Sequence, residues 1–156
     1  MEIKMMVNDK NITDNIAPDL LLIDFLRKHG FYSVKRGCDT ANCGLCTVLM
    51  EDKPILSCSF LAVRANGKHV ITLEGMQLEA EAFGRFMAEE GAEQCGFCSP
   101  GFIMSVLSME KEFAQKGMME PTEEDINKYL SGNLCRCTGY MSHIRAITKY
   151  LKRKVD

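Results

Sequence analysis

Eight cysteines fall into two groups of four, and none is left over. The first group is Cys38, Cys43, Cys46 and Cys58, a C-x4-C-x2-C run with a fourth cysteine further along. The second pairs Cys95-Gly96-Phe97-Cys98 with Cys135-Arg136-Cys137. A fold that brings each group together can staple it by disulfides or by metal, and the rest of the composition bears on which.

At 156 residues the chain is one typical domain or two small ones. Its hydrophobic content of 46% and charged content of 26% are those of an ordinary globular protein. A net charge of -2 provides no basic field, so nucleic acid is not an expected partner. No apolar run approaches the ~20 residues of a membrane span. The opening Met1-Glu2-Ile3-Lys4-Met5-Met6-Val7-Asn8 lacks a long apolar h-region and a small-residue cleavage site, so no secretory signal is expected. The expected compartment is the cytoplasm, where thiols stay reduced. That argues against disulfides and for metal. Half-chains of about 80 residues often need staples, and each cysteine group could supply one.

The periodicity divides the chain. Ile3, Met5 and Val7 alternate with polar residues, Asn8-Asp9-Lys10-Asn11 is turn-rich, and Ile12 resumes an extended run, a β-hairpin over residues 1 to 16. A helix follows Pro18-Asp19 with Leu22, Phe25 and Leu26 on one face and Gly30 as its C′ residue. Val34 to Cys46 reads as a loop. Thr47 to Met50 and Ile55 to Phe60 read as strands around a Glu51-Asp52-Lys53-Pro54 turn, and Val70 to Leu73 as another. Strands with one helix predict a β-grasp domain over residues 1–76.

After Gly75 the spacing becomes helical. Ala82, Phe83, Phe86 and Met87 mark one helix; Ser99-Pro100 predicts the next, with serine as N-cap and proline at N1. Phe102, Ile103, Val106, Leu107 and Phe113 form its buried face. Thr122 with Asp125 resembles a capping box, Gly132 closes that helix, and Tyr140, Ile144, Ile147 and Leu151 share a face of the last. Lys149, Lys152, Arg153 and Lys154 sit at its C-terminal end, where positive charge is favoured. The prediction is an α+β chain: a β-grasp domain, a linker near Glu74 to Glu79, and a four-helix bundle over residues 77–156.

The first cysteine group has the plant-type ferredoxin spacing. A 2Fe-2S cluster needs four thiolates around two irons, three of which a tight loop can deliver. Gly37 and Gly44 let backbone N–H groups approach the sulfurs, where they stabilise the reduced, more negative form and raise the potential. Zinc prefers two C-x(2–4)-C knuckles, which three cysteines in nine residues fit poorly.

The second group is ambiguous by spacing. Cys95-Gly96-Phe97-Cys98 before a helix suggests a thioredoxin-type pair, but helical spacing occupies the place of the preceding strand. A C-x-x-C at a helix start and a C-x-C between helices can converge at the end of a bundle, and such four-thiolate sites hold either zinc or iron–sulfur. The histidines, His29, His69 and His143, form no nucleophile–base spacing. No G-x-G-x-x-G or P-loop occurs, so no dinucleotide fold is encoded.

Gln94-Cys95-Gly96-Phe97-Cys98-Ser99-Pro100-Gly101 and Gly132-Asn133-Leu134-Cys135-Arg136-Cys137-Thr138-Gly139-Tyr140 closely resemble the two signatures of the molybdenum hydroxylase family, which includes xanthine dehydrogenase, aldehyde oxidoreductases and nicotinate dehydrogenase. Gly37-Cys38 through Val48 and Thr72-Leu73-Glu74-Gly75-Met76 match as well. The resemblance covers nearly the whole chain and is to the separate small iron–sulfur subunit. Departures are slight: Ser99 where threonine is frequent, Asn42 where glycine or histidine often stands.

The resemblance implies a plant-ferredoxin-like N-terminal domain toward a flavin, and a helical bundle beside a molybdopterin. Cys38, Cys43, Cys46 and Cys58 would ligate the flavin-side 2Fe-2S cluster. Cys95, Cys98, Cys135 and Cys137 would ligate the molybdenum-side one. Gln94 matches a glutamine that hydrogen-bonds the pterin, and Cys137 the ligand nearest it. The implied partners are a molybdopterin-binding large subunit and an FAD-binding medium subunit, since this chain encodes neither cofactor's fold. The implied function is electron transfer within a multi-subunit hydroxylase, with no catalytic residue in this chain. A free-standing two-cluster carrier and a zinc-bound interaction module are the alternatives. Lys35-Arg36 reads as a solvated pair.

Overall fold

The alternation at the N-terminus is realised in full. Ile3, Met5 and Val7 are buried and their neighbours exposed along β1 (Glu2–Val7), because successive strand side chains point to opposite faces. A computed structural model describes residues 1–153. β1 pairs antiparallel with β2 (Lys10–Asn15), and the turn is narrower than the sequence suggests: Val7 faces Lys10, leaving Asn8-Asp9 as a two-residue connection. Asn8 takes a φ of 53°, which asparagine tolerates better than most residues. Its side chain also ties the hairpin to the far end of the domain: the Thr72 amide donates to Asn8 Oδ1 at 2.9 Å, and Asn8 Nδ2 donates to Thr72 Oγ1 at 3.0 Å.

α1 (Leu22–Lys28) lays Leu22, Ile23, Phe25 and Leu26 against the sheet, with Gly30 in the left-handed region just past its end. β3 (Thr47–Met50) and β4 (Lys53–Leu56) form a second hairpin, closed by Glu51 and Asp52, both at positive φ. β4 therefore lies earlier than the expected Ile55 to Phe60 strand. Ser57–Ser59 is a 3-10 turn, so Cys58 is carried by the turn and not by the strand. β5 (His69–Ile71) completes a five-stranded sheet of order β2-β1-β5-β3-β4, with β1 and β5 parallel and the other pairs antiparallel.

The residues expected to link the two halves are ordered. Leu73–Gly75 forms a 3-10 turn leading straight to α2 (Gln77–Glu89). Glu74 accepts from the Ser33 amide at 2.9 Å and from the Thr72 hydroxyl at 2.6 Å. α3 (Ser99–Gln115), α4 (Glu123–Tyr129) and α5 (Met141–Lys152) follow, so the described residues of the second half form the four expected α-helices, with a 3-10 turn at Leu130–Gly132. Thr122 and Asp125 make the full reciprocal capping box. At α3 the cap lies one residue earlier than expected: Cys98 is the N-cap, and the Ser99 hydroxyl donates to Glu93 Oε1 at 3.0 Å instead of capping the helix. Of the basic residues at the end of α5, Lys154 lies outside the described residues.

Each half has its own apolar core, but they share β3. Val48 packs with Ile3, Phe25 and Val70 under α1, whereas Leu49 packs with Phe102, Val106 and Ile147 among the helices. Both are fully buried. Burying a side chain of this size is worth about 1.5–3 kcal/mol, so β3 contributes to both cores by alternation alone. α3 lies across β3 and β4, and its N-terminus approaches the first cysteine loop so closely that a Cβ on Gly101 would meet the Gly44 carbonyl oxygen at 2.5 Å.

Candidate metal centres

The loop from Gly37 to Cys46 bends back so that its amides point at sulfur. The Cys38 thiol is pushed down to about 6, first by the Asn42 amide, then by the Cys43 thiol and the amides of Thr40 and Cys43. The tight path depends on Ala41 at a φ of 55° and Gly44 at 75°. Gly44 also has no room for a side chain: a Cβ there would meet Asn133 Nδ2 at 2.5 Å and the Gly132 carbonyl at 2.6 Å. Cys43 and Cys46 are buried and Cys38 and Cys58 half-buried. Burial pushes the Cys58 thiol up to about 12, with the neighbouring Cys46 thiol and the charges of Cys38 and Cys43 adding to it. Burial also raises Cys43, against the Leu45 amide.

The second group gathers where the start of α3 meets the turn before α5. The Cys137 and Cys95 sulfurs lie 3.5 Å apart, and both residues are exposed. Cys98 is half-buried; burial, then Cys135, pushes it up to about 12. The Phe97 amide and the Cys137 thiol lower Cys95. Burial acts to raise Cys135, but the Thr138 hydroxyl and the amides of Thr138 and Cys137 outweigh it, and its thiol is lowered. Tyr140 closes this turn. Gly139 and Tyr140 both have a φ of 69°, which for a tyrosine is strained backbone. The Tyr140 hydroxyl reaches back to accept from the Cys135 amide at 2.8 Å.

The eight thiols are free of disulfides. Their chemistry fits a cationic cluster core: amides and hydroxyls already favour the thiolate at Cys38, Cys95 and Cys135, while half-buried Cys58 and Cys98 need a nearby positive centre to ionise. The thiols meet in pairs, Cys38 with Cys43, Cys46 with Cys58, Cys95 with Cys137 and Cys98 with Cys135. Two irons require two pairs of thiolates and not one tetrahedron.

All four cysteines of the second group line one cavity of about 430 Å³, and Cys38 and Cys43 of the first group line it with them; Cys46 and Cys58 do not. A larger cavity, about 530 Å³ by Met119, Ile126 and Leu151, has no cysteine in its lining. The two cysteine loops touch through the backbone: the Leu134 amide donates to the Cys43 carbonyl at 2.9 Å. Lys35 is not simply solvated, since its ammonium sits 5.0 Å from the centre of the Phe97 ring; Arg36 pairs with Asp24 at 2.9 Å.

Residues 5–69 match the model of the 2Fe-2S iron-sulfur cluster binding domain, and residues 72–148 match that of the [2Fe-2S] binding domain. The chain is 38% identical to the xanthine dehydrogenase iron-sulfur-binding subunit of Escherichia coli O157:H7, over 97% of this chain and 95% of that protein. This chain belongs to the iron–sulfur subunits of the molybdenum hydroxylase family. The nicotinate dehydrogenase small FeS subunit of Eubacterium barkeri is 40% identical over 85% of this chain and 83% of its own length. Quinoline 2-oxidoreductase from Pseudomonas putida 86 superposes with a TM-score of 0.87 at 34% identity, covering 98% of this chain and 94% of that one. The aldehyde oxidoreductase from Desulfovibrio desulfuricans also gives 0.87, at 32% identity, with 99% of this chain matching 17% of a much longer one. Within this family the plant-ferredoxin-like half comes first and the helical half second, as the sequence predicts, and the chain is a component of an oxidoreductase complex.

Gln94 is exposed beside exposed Cys95. Thr138 and Tyr140 reach Cys135, and His143 reaches Thr138; the spacing names none of them as a site residue and places Tyr140 on the face of α5, whereas it is that helix's N-cap. Thr138 three residues after Cys135 is the one local signal, because a hydroxyl at that spacing can turn back on its own loop. The fold alone brings His143 there.

Proposed function

We propose that this chain carries electrons between a molybdopterin-binding large subunit and an FAD-binding medium subunit of a cytoplasmic hydroxylase. Cys38, Cys43, Cys46 and Cys58 hold one 2Fe-2S cluster, and Cys95, Cys98, Cys135 and Cys137 hold the other, with the boundary between the two modules after residue 76. The observation that carries this reading is the cavity on which all four cysteines of the second group meet Cys38 and Cys43 of the first, with Cys95 and Cys137 exposed. When bound, each cluster supplies a store for one electron.

The chain's own residues set the conditions for that store. The amides of Asn42, Thr40 and Cys43 favour negative charge on Cys38, and the Phe97 amide does so at Cys95. Each such hydrogen bond stabilises the reduced state. Burial of Cys43 and Cys46 keeps water from the first site, whereas the second is open to a partner. Gln94 and Cys137 form the face toward the pterin. A primary amide offers both donors and an acceptor to a heterocycle's mixed edge. The Cys38 to Cys43 loop forms the face toward the flavin.

The open end is apolar. Phe97, Leu134 and Tyr140, which line the cavity, are 48%, 46% and 39% exposed. Such a collar suits a permanent subunit interface better than a free-standing carrier. The substrate belongs to the large subunit's pocket; N-heterocycles and aldehydes are the class that the relatives' names point to.

Reduction of the purified complex followed by electron paramagnetic resonance tests the reading. Two distinguishable 2Fe-2S signals are expected, with iron and acid-labile sulfide in equal amounts. A single signal, or stoichiometric zinc in the second site, would refute it.

A further inference from the structure

We propose that the Thr138 hydroxyl donates its hydrogen to the Cys135 sulfur in competition with His143 Nδ1, and that this shared donor sets the reduction potential of the second cluster. The inference rests on the ligand assignment above. Thr138 Oγ1 lies 3.2 Å from Cys135 Sγ and 3.5 Å from His143 Nδ1, and the Tyr140 amide donates to it at 3.4 Å. A hydroxyl has one hydrogen and two lone pairs. Tyr140 occupies a lone pair, which leaves one hydrogen and two acceptors, because an iron-bound thiolate can only accept.

His143 is held as the second claimant by its surroundings. It is 1% exposed on α5, and its ring stacks on Phe102 with centroids 4.3 Å apart. Burial keeps the imidazole below its usual range, against the Ala92 carbonyl, which favours the protonated ring. A neutral ring has one N–H. The competition requires that hydrogen on Nε2, which leaves Nδ1, the nitrogen facing Thr138, a lone pair. Neither acceptor can drift, since the Tyr140 hydroxyl grips the Cys135 amide at 2.8 Å and α5 fixes the imidazole.

Reduction adds one electron and puts more negative charge on the ligating sulfurs. The hydroxyl hydrogen is then drawn toward Cys135, so the donor stabilises the reduced form more than the oxidised form and raises the potential. His143 diverts part of that hydrogen and moderates the effect. Thr138 and His143 are therefore positioning residues.

The test is an anaerobic dithionite titration of the complex, followed by electron paramagnetic resonance. Thr138→Val should lower the midpoint of the second cluster and leave the first unchanged. A change of up to roughly tenfold in the reduced-to-oxidised ratio at fixed potential corresponds to about 59 mV for one electron. Thr138→Ser should restore the midpoint, and His143→Leu should move it upward. Thr138→Ala serves if the valine variant does not assemble. An unmoved midpoint with the cluster present, or equal shifts of both clusters, overturns the proposal. A downward shift in His143→Leu overturns the competition. A wild-type chain with only half the expected iron would instead refute the ligand assignment.

Discussion

The backbone amide of Leu134 donates to the carbonyl of Cys43 at 2.9 Å. Leu134 stands one residue before Cys135 and belongs to the helical half; Cys43 belongs to the sheet half. One peptide hydrogen bond thus joins the loops that carry the two cysteine sets. Asn133 Nδ2 reinforces it by donating to the Ser105 hydroxyl of α3 at 3.0 Å. Leu134→Pro removes the donor. A net loss of about 1 kcal/mol is expected, seen as a lower urea midpoint, together with slower electron exchange between the sites in a rapid-reduction experiment.

Gly101 is a contact in which α3 meets the cysteine loop backbone to backbone. A Cβ there would lie 2.5 Å from the Gly44 oxygen and 2.7 Å from Leu45 Cα, neither of which can rotate away. Gly101→Ala should destabilise the chain by about 1–3 kcal/mol, the usual range for overpacking. Chemical denaturation measures this, and iron should be lost from both sites as the loops separate. Gly84→Ala is the control, since a Cβ there meets nothing within 4 Å.

Cys43→Ser and Cys95→Ser should have separable effects. Cys43 is buried in the sheet half, Cys95 exposed in the helical half. Each variant should lose about half the iron and one of the two resonance signals while the other persists. Loss of both signals in either variant would mean that the sites assemble as one unit.

Glu90 ends α2 and fastens α5 to it. Lys149 and Arg145 both reach its carboxylate, the Arg145 Nε at 3.0 Å, and they hold it below the usual carboxylate range. A depressed folded-state value means that this contribution to stability is complete above the unfolded value of about 4.3 and is lost as pH falls through the lower, folded one. Glu90→Gln should therefore be less stable than wild type at neutral pH. The difference should shrink as the medium is acidified below about pH 4.3, as followed by thermal melts across that window.

Much of the fold is legible in short-range pattern. The alternation of Ile3, Met5 and Val7, the Thr122–Asp125 box and the helical spacing from Phe102 to Phe113 each name an element, because each reflects hydrogen bonding or burial within a few residues. Boundaries are less legible. Ile55 to Phe60 reads as one strand, but the chain turns at Ser57, where the Ser57 hydroxyl donates to the Cys46 carbonyl at 2.7 Å. That bond ties the turn to the cysteine loop, and no pattern within the strand announces it. Ser99 reads as a cap, but Glu93 takes its hydroxyl.

The candidate site divides in the same way. The ligand types and their grouping are written in the spacing of Cys38, Cys43 and Cys46 and in the flanks of Cys95 and Cys135, because thiolates that share a cluster must come from short, tightly turned loops. Only the tertiary structure decides that Cys38 and Cys43 line one cavity with the second group, that Leu49 leaves its neighbour Val48 to join the helical core, that Lys35 stacks on Phe97, and that His143 reaches Thr138. These contacts join residues far apart in the chain or on opposite faces of one strand. They depend on how α3 and α5 pack against β3, and sequence spacing has no term for that.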